Sequence, residues 1–90
     1  MATLLDAATE NGDGVAFEHV GPCTVFISGN LARGRVVILA AAADVEAEYE
    51  PAASVDVAQP ITLDGLGTYF LKARLSNAGS GASVTVKTTQ

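Results

Sequence analysis

The sequence predicts an all-β protein: a small antiparallel β-sandwich or barrel of about seven or eight short strands. Turn signals recur about every ten residues. They are "NGDG" (11–14), "GP" (21–22), "GN" (29–30), "RG" (33–34), "EP" (50–51), "QP" (59–60), "DGLG" (64–67) and "NAGSGA" (77–82). Between them sit short β-branched runs that alternate with period two. The chain has 90 residues, room for one domain and one core.

Each segment is justified in turn. Residues 1–12 are expected to form an N-terminal arm or an edge strand, with Leu4 and Leu5 lying on a neighbour. Residues 13–90 are expected to form a single β-sandwich domain. In "CTVFISG", Cys23, Val25 and Ile27 face one way and Thr24, Phe26 and Ser28 the other. "RVVILAA" reads as a strand buried on both faces. A bend near Ala43 and Asp44 leads into "VEAEYE", read as a strand with Val45, Ala47 and Tyr49 inward and Glu46, Glu48 and Glu50 in water. Alanine and glutamate favour a helix here, but its apolar face (Leu39, Ala42, Ala43 and Tyr49) has little to bury. In "TYFLKARLS", Tyr69, Leu71, Ala73 and Leu75 face inward. "ASVTVKTT" buries Val84 and Val86. "SNAGSGA" is expected to join these last two strands into a hairpin.

Composition limits the function. Ten acidic residues against five basic ones give a net charge of −5, which repels a phosphate backbone, so no nucleic acid is expected as a partner. No run approaches the ~20 apolar residues that cross a bilayer as a helix, so no membrane partner is expected. "MATLLDAATENGDG" lacks the basic start and apolar core of a signal peptide. Synthesis in the cytoplasm is the corresponding expectation. With Cys23 the single cysteine, no disulfide forms within the chain. A domain this small buries only roughly 60–65% of its unfolded surface, which makes partner subunits the remaining source of stability. The run Val36–Ala43, half alanine, permits close approach of a second layer or subunit, with Ala41 at the seam.

Candidate chemical sites are few. "ENGDG" places Asn11, Asp13 and Gly14 like half of a calcium loop, but an EF-hand register needs an acid at Thr9 and a glutamate at Val20. An ordinary turn is expected. His19 has no partner at metal or triad spacing. Cys23 reads as a buried small hydrophobe. The glycines of "GSG" (79–81) and "GLG" (65–67) open no helix and precede no Lys-Ser or Lys-Thr pair, so they are no phosphate cradle. Glu46, Glu48 and Glu50 are spaced roughly 6.5–7 Å apart on a strand, not far from an inverting glycosidase pair. Without bulk to build a cleft, they read as a charged edge. No catalytic residue, metal or cofactor is expected. Arg33 and Arg35 flank a turn glycine, either as a solvated turn or as a clamp for a partner's carboxylate. Phe26 and Phe70 fall on outward sides of their strands and would make a patch that needs covering.

The segments "GDGVAFEHVGPCTVFISGN" and "GTYFLKARLSNAGSGASVTVKTTQ" resemble small virion proteins of tailed bacteriophages. The resemblance rests on the "GP-x-TV" strand entry at Gly21 to Val25 and the "G-x-Y-x-L-x-A-x-L-S" strand at Gly67 to Ser76. It covers roughly residues 12–90. It implies a capsid decoration or cement protein: a compact β-domain on the virion's capsid surface, often a homotrimer, partnered by the major capsid protein or another virion protein. Tail, fibre and head–tail connector domains share the pattern and remain alternatives, as does a small β-sandwich binding module. A carbohydrate-binding module would present a Trp or Tyr platform, and this chain has no Trp and two separated tyrosines. An enzyme would need an acid–base pair or nucleophile in a cleft.

Overall fold

The computed structural model describes residues 3–63 and 67–89. Their nine strands are β1 (Thr3–Ala8), β2 (Gly12–Asp13), β3 (Phe17–Val20), β4 (Cys23–Asn30), β5 (Arg35–Ala41), β6 (Glu50–Val55), β7 (Pro60–Leu63), β8 (Thr68–Ser76) and β9 (Ser83–Thr88). They form two antiparallel sheets. One has the order β1-β9-β4-β7; in the other, β6, β5 and β8 are followed by the short strands β2 and β3, both paired to β8. The sheets stack face to face as a sandwich, and the shortest dimension is 17 Å. Two separate sheets decide between the sandwich and the barrel.

Alternation within each strand builds the core. Val25, Ile27, Val84 and Val86 project from the first sheet onto Val36, Ile38, Leu71, Ala73 and Leu75 of the second. Burying each large aliphatic side chain contributes about 1.5–3 kcal/mol. Cys23 is buried with them, as its alternation with Val25 and Ile27 predicts.

Several expectations are corrected. The segments "TYFLKARLS" and "ASVTVKTT" are strands but not a hairpin: β8 pairs with β5, β2 and β3, whereas β9 pairs with β1 and β4. The intervening residues carry the chain across the gap between layers. "VEAEYE" is not a strand either. Glu46–Glu48 form one 3-10 turn, with the Glu48 amide donating to the Val45 carbonyl at 2.8 Å, and the strand begins only at Glu50. Val45 is exposed rather than inward. Part of the "DGLG" signal, residues 64–66, lies outside the described residues.

Of the two expectations for the N-terminal segment, residues 3–8 follow the edge strand and not the free arm. β1 is an edge strand on β9, and Leu4 and Leu5 are 1% and 7% exposed within the core. Their side chains hold the sandwich together and are not offered to a neighbour. Ala41 is likewise buried by its own chain. The 42–49 segment folds back over that side of β5, placing the Tyr49 ring 4.3 Å from the Lys72 Nζ, and Lys72 lies in register with Leu39. Leu39 and Ala41 on the second face of the Val36–Ala43 run are therefore covered within the protomer, while Ala42 and Ala43 at its end are exposed and Ala41 borders an open depression beside them.

Candidate binding surface

The remaining predicted residues divide between two faces and one end. Phe26 stands on the outer face of the four-stranded sheet, 46% exposed, in register with Pro60 of β7 and Lys87 of β9. Around it the outward positions are small and polar: Thr24, Ser28, Thr62 and Thr85. Phe70 is on the outer face of the other sheet, partly buried between Ala41 and Glu18. The two rings thus lie on opposite sides of the sandwich, because β4 and β8 belong to different layers. They form no common patch.

Arg33 and Arg35 are exposed at the β4–β5 connection. The Gly34 amide closes a tight turn onto the Leu31 carbonyl at 2.7 Å, and both central residues are left-handed, Ala32 at φ 50° and Arg33 at φ 67°. That conformation costs a non-glycine residue roughly 1–2 kcal/mol. It is held by hydrogen bonds from the Ala32 amide to Asn30 Oδ1 at 2.9 Å and from the Gly79 amide to the Ala32 carbonyl at 3.1 Å. The backbone is fixed, so the turn presents Arg33 on a rigid base.

A charge network that sequence reasoning missed lies on the outer face of β8. Lys72 and Arg74 alternate there, which the period of the strand reveals; the two carboxylates that join them come from distant segments, which it does not. Asp13 of β2 accepts from Arg74 Nε at 2.5 Å and pairs with Lys72 Nζ at 2.9 Å. Glu46 accepts from Lys72 at 2.6 Å and reaches Arg74 at 3.6 Å. The hydrogen bond from Arg74, assisted by Lys72, holds the Asp13 carboxyl down at about 2. Glu46 and then Asp13 hold the Lys72 ammonium in its charged form. Burial and a hydrogen bond to Asp44 push the Tyr49 phenol up to about 12. Asp13, the residue that prompted the calcium comparison, is thus occupied by two cations of its own chain.

The network makes a pH prediction. Asp13 titrates lower in the folded chain than in the unfolded one, so its stabilisation is complete above about pH 4 and is lost as pH falls towards 2. Because the network is partly exposed, its worth is set at about 1 kcal/mol, or about 4–8 °C in melting temperature. Asp13→Asn should lower the melting temperature by that amount at pH 7 and flatten the decline between pH 4 and 2. Thermal melts across this range check it, and an unchanged acid limb in the variant would refute the assignment.

His19 is a structural residue. It is 1% exposed, with Nδ1 3.1 Å from the Phe17 carbonyl and Nε2 3.0 Å from Thr88 Oγ1. Nδ1 donates to the Phe17 carbonyl, and the Thr88 hydroxyl, able to donate or accept, satisfies Nε2. The second contact ties β3 to β9 across the two sheets. Tyr69 stacks on the ring and donates to the Gly21 carbonyl at 2.5 Å; burial, then Cys23, pushes its phenol up to about 12.

The sheet edges are blunt. β1 has two register breaks against β9, and the β5–β6 pairing carries one, with Pro51 in β6. β7 opens on Pro60 and β3 has only four residues. Such edges disfavour strand addition. Contact with another molecule is left to the faces and ends of the sandwich.

No family model, curated protein or solved structure matches this chain. Among the described residues, no three His, Cys, Asp or Glu side chains gather as a metal group, and no helix is long and apolar enough to cross a membrane.

Proposed function

We propose that this chain is a non-enzymatic structural protein of a phage virion, binding the outer capsid surface as a homotrimer and stabilising the head. The observation that carries the reading is Phe26: a large aromatic ring, 46% exposed, on the outer face of the four-stranded sheet, midway along the inner strand β4. An aromatic anchor beside Pro60 and Lys87, with Thr24, Ser28, Thr62 and Thr85 further out, has the apolar middle and polar rim of an interface. The blunt edges favour docking by a face over strand pairing. The resemblance of the Gly21–Val25 and Gly67–Ser76 segments to decoration proteins supports the capsid as the partner.

Phe26→Glu should abolish particle occupancy while leaving the melting temperature within a few degrees of wild type, because the ring is outside the core. Immunogold labelling of purified particles reads this out. Label on heads with wild type and none with the variant is the expected result. Label on tails would reassign the chain to a tail, fibre or connector role, and particles without label would refute a virion protein.

A further inference from the structure

We propose that copies of this chain associate head to tail, the Arg33–Arg35 turn of one copy seating in a depression at the opposite end of β5 in the next. The inference rests on the homo-oligomer of the proposed function and specifies its contact. Three features of the chain support it, and all three concern surfaces its own fold leaves unused.

The first is the charge left over after internal pairing. Of the five basic residues, Lys72 and Arg74 are neutralised by Asp13 and Glu46. The side chains of Arg33 and Arg35 have no ion-pair partner among the described residues, and both are exposed. The same holds for the carboxylates of Glu48 and Glu50. An acidic chain has thus kept two unpaired arginines close together, Arg33 on the turn and Arg35 at the start of the strand that follows. Asp56 borders the recess beside Arg33, so the end as a whole is only modestly positive.

The second is shape. Glu48 and Glu50 line an open depression of about 500 Å³ together with Ala40, Ala41, Ala42 and Tyr69. The small alanines of the lining leave space for an inserted side chain, and two carboxylates without a partner of their own suit a guanidinium. The complementary projection is the turn at Ala32 and Arg33, whose left-handed backbone is fixed by three hydrogen bonds. Little ordering is needed for it to dock.

The third is position. The turn precedes Arg35 at the start of β5, and the depression surrounds Ala40 to Ala42 at its end, six residues or about 20 Å away. A chain cannot satisfy its own pair across that distance. A second copy can, and a contact between unlike surfaces leaves each new copy with a free turn and a free depression. Such a contact propagates until it closes, and the resemblance to decoration proteins implies a ring of three.

Charge reversal tests this with residues that are exposed and outside the core. Sedimentation velocity at micromolar concentration and low salt is expected to give three protomer masses for wild type, the protomer being 9.1 kDa. R33E/R35E and E48R/E50R should each raise the concentration of half-dissociation at least tenfold, with unchanged circular dichroism. The fourfold variant R33E/R35E/E48R/E50R, with every charge exchanged, should reassemble. A wild type of one protomer mass overturns the homo-oligomer itself. A wild-type oligomer that both pairs of reversals leave intact overturns this contact alone, as does a fourfold variant that folds but stays dissociated. Should the fourfold variant fail to fold, mixing the two double variants replaces it: hetero-association supports the contact, and its absence overturns it.

Discussion

Leu4→Ala is expected to destabilise the protein by about 3 kcal/mol, and deletion of residues 1–8 to unfold it. Leu4 is 1% exposed and belongs to the same core cluster as Val25, Val84 and Leu71. Its removal leaves a cavity that the flanking sheets fill only partly. Deletion goes further. It removes Leu5 as well and strips β9 of its β1 partner, from Thr3 opposite Lys87 to Ala8 opposite Val84. Urea unfolding followed by circular dichroism measures the first. For the deletion, a cooperative transition at the wild-type midpoint would restore the arm that "MATLLDAA" suggests in isolation.

Gly14→Ala is expected to cost at least about 3 kcal/mol, the upper end for overpacking, because the obstacle is backbone. A Cβ at Gly14 would overlap the Leu4 carbonyl oxygen and lie 2.8 Å from both the Leu4 carbonyl carbon and Leu5 Cδ2. The neighbouring hydrogen bonds explain why nothing there can yield. The Gly14 amide donates to the Ala73 carbonyl at 2.8 Å, in one sheet, and the Val15 amide to the Leu4 carbonyl at 3.0 Å, in the other. Gly14 is therefore the point where the chain passes between layers. Loss of soluble folded protein, or a melting temperature lower by more than 10 °C, is the expected readout; a wild-type melt would refute the close crossing.

What could be read from sequence follows from what alternation encodes. It states which side of a strand is buried, so Val25, Ile27, Leu71, Leu75, Val84 and Val86 were all legible as core. It does not state which layer a strand joins, since both layers bury one face of each strand. That is why β8 and β9 looked like neighbours, and why Phe26 and Phe70 looked like one patch. The glutamates at 46, 48 and 50 show a further limit. Their period of two matches a strand, yet Glu46 and Glu48 are exposed in the 3-10 turn as well, and only Glu50 lies in a strand. What decided the matter was Glu46 reaching Lys72 and Arg74, a contact between segments about 26 positions apart. The arginine turn was legible as a turn. The depression that fits it was not, because it is assembled from β5, β8 and the 42–50 segment.

The pairing of β1 with β9 sets the order in which this protein can be made. β1 is made before the other described strands, and β9, its strand partner among the described residues, follows about eighty residues later. At roughly 5–20 residues per second, Leu4 and Leu5 are without their β9 partners for several seconds during synthesis. The first sheet cannot be completed before then, since β9 is also the central neighbour of β4. Closure of the first sheet is therefore a late event in synthesis, whereas the strands of the second sheet are all made before β9.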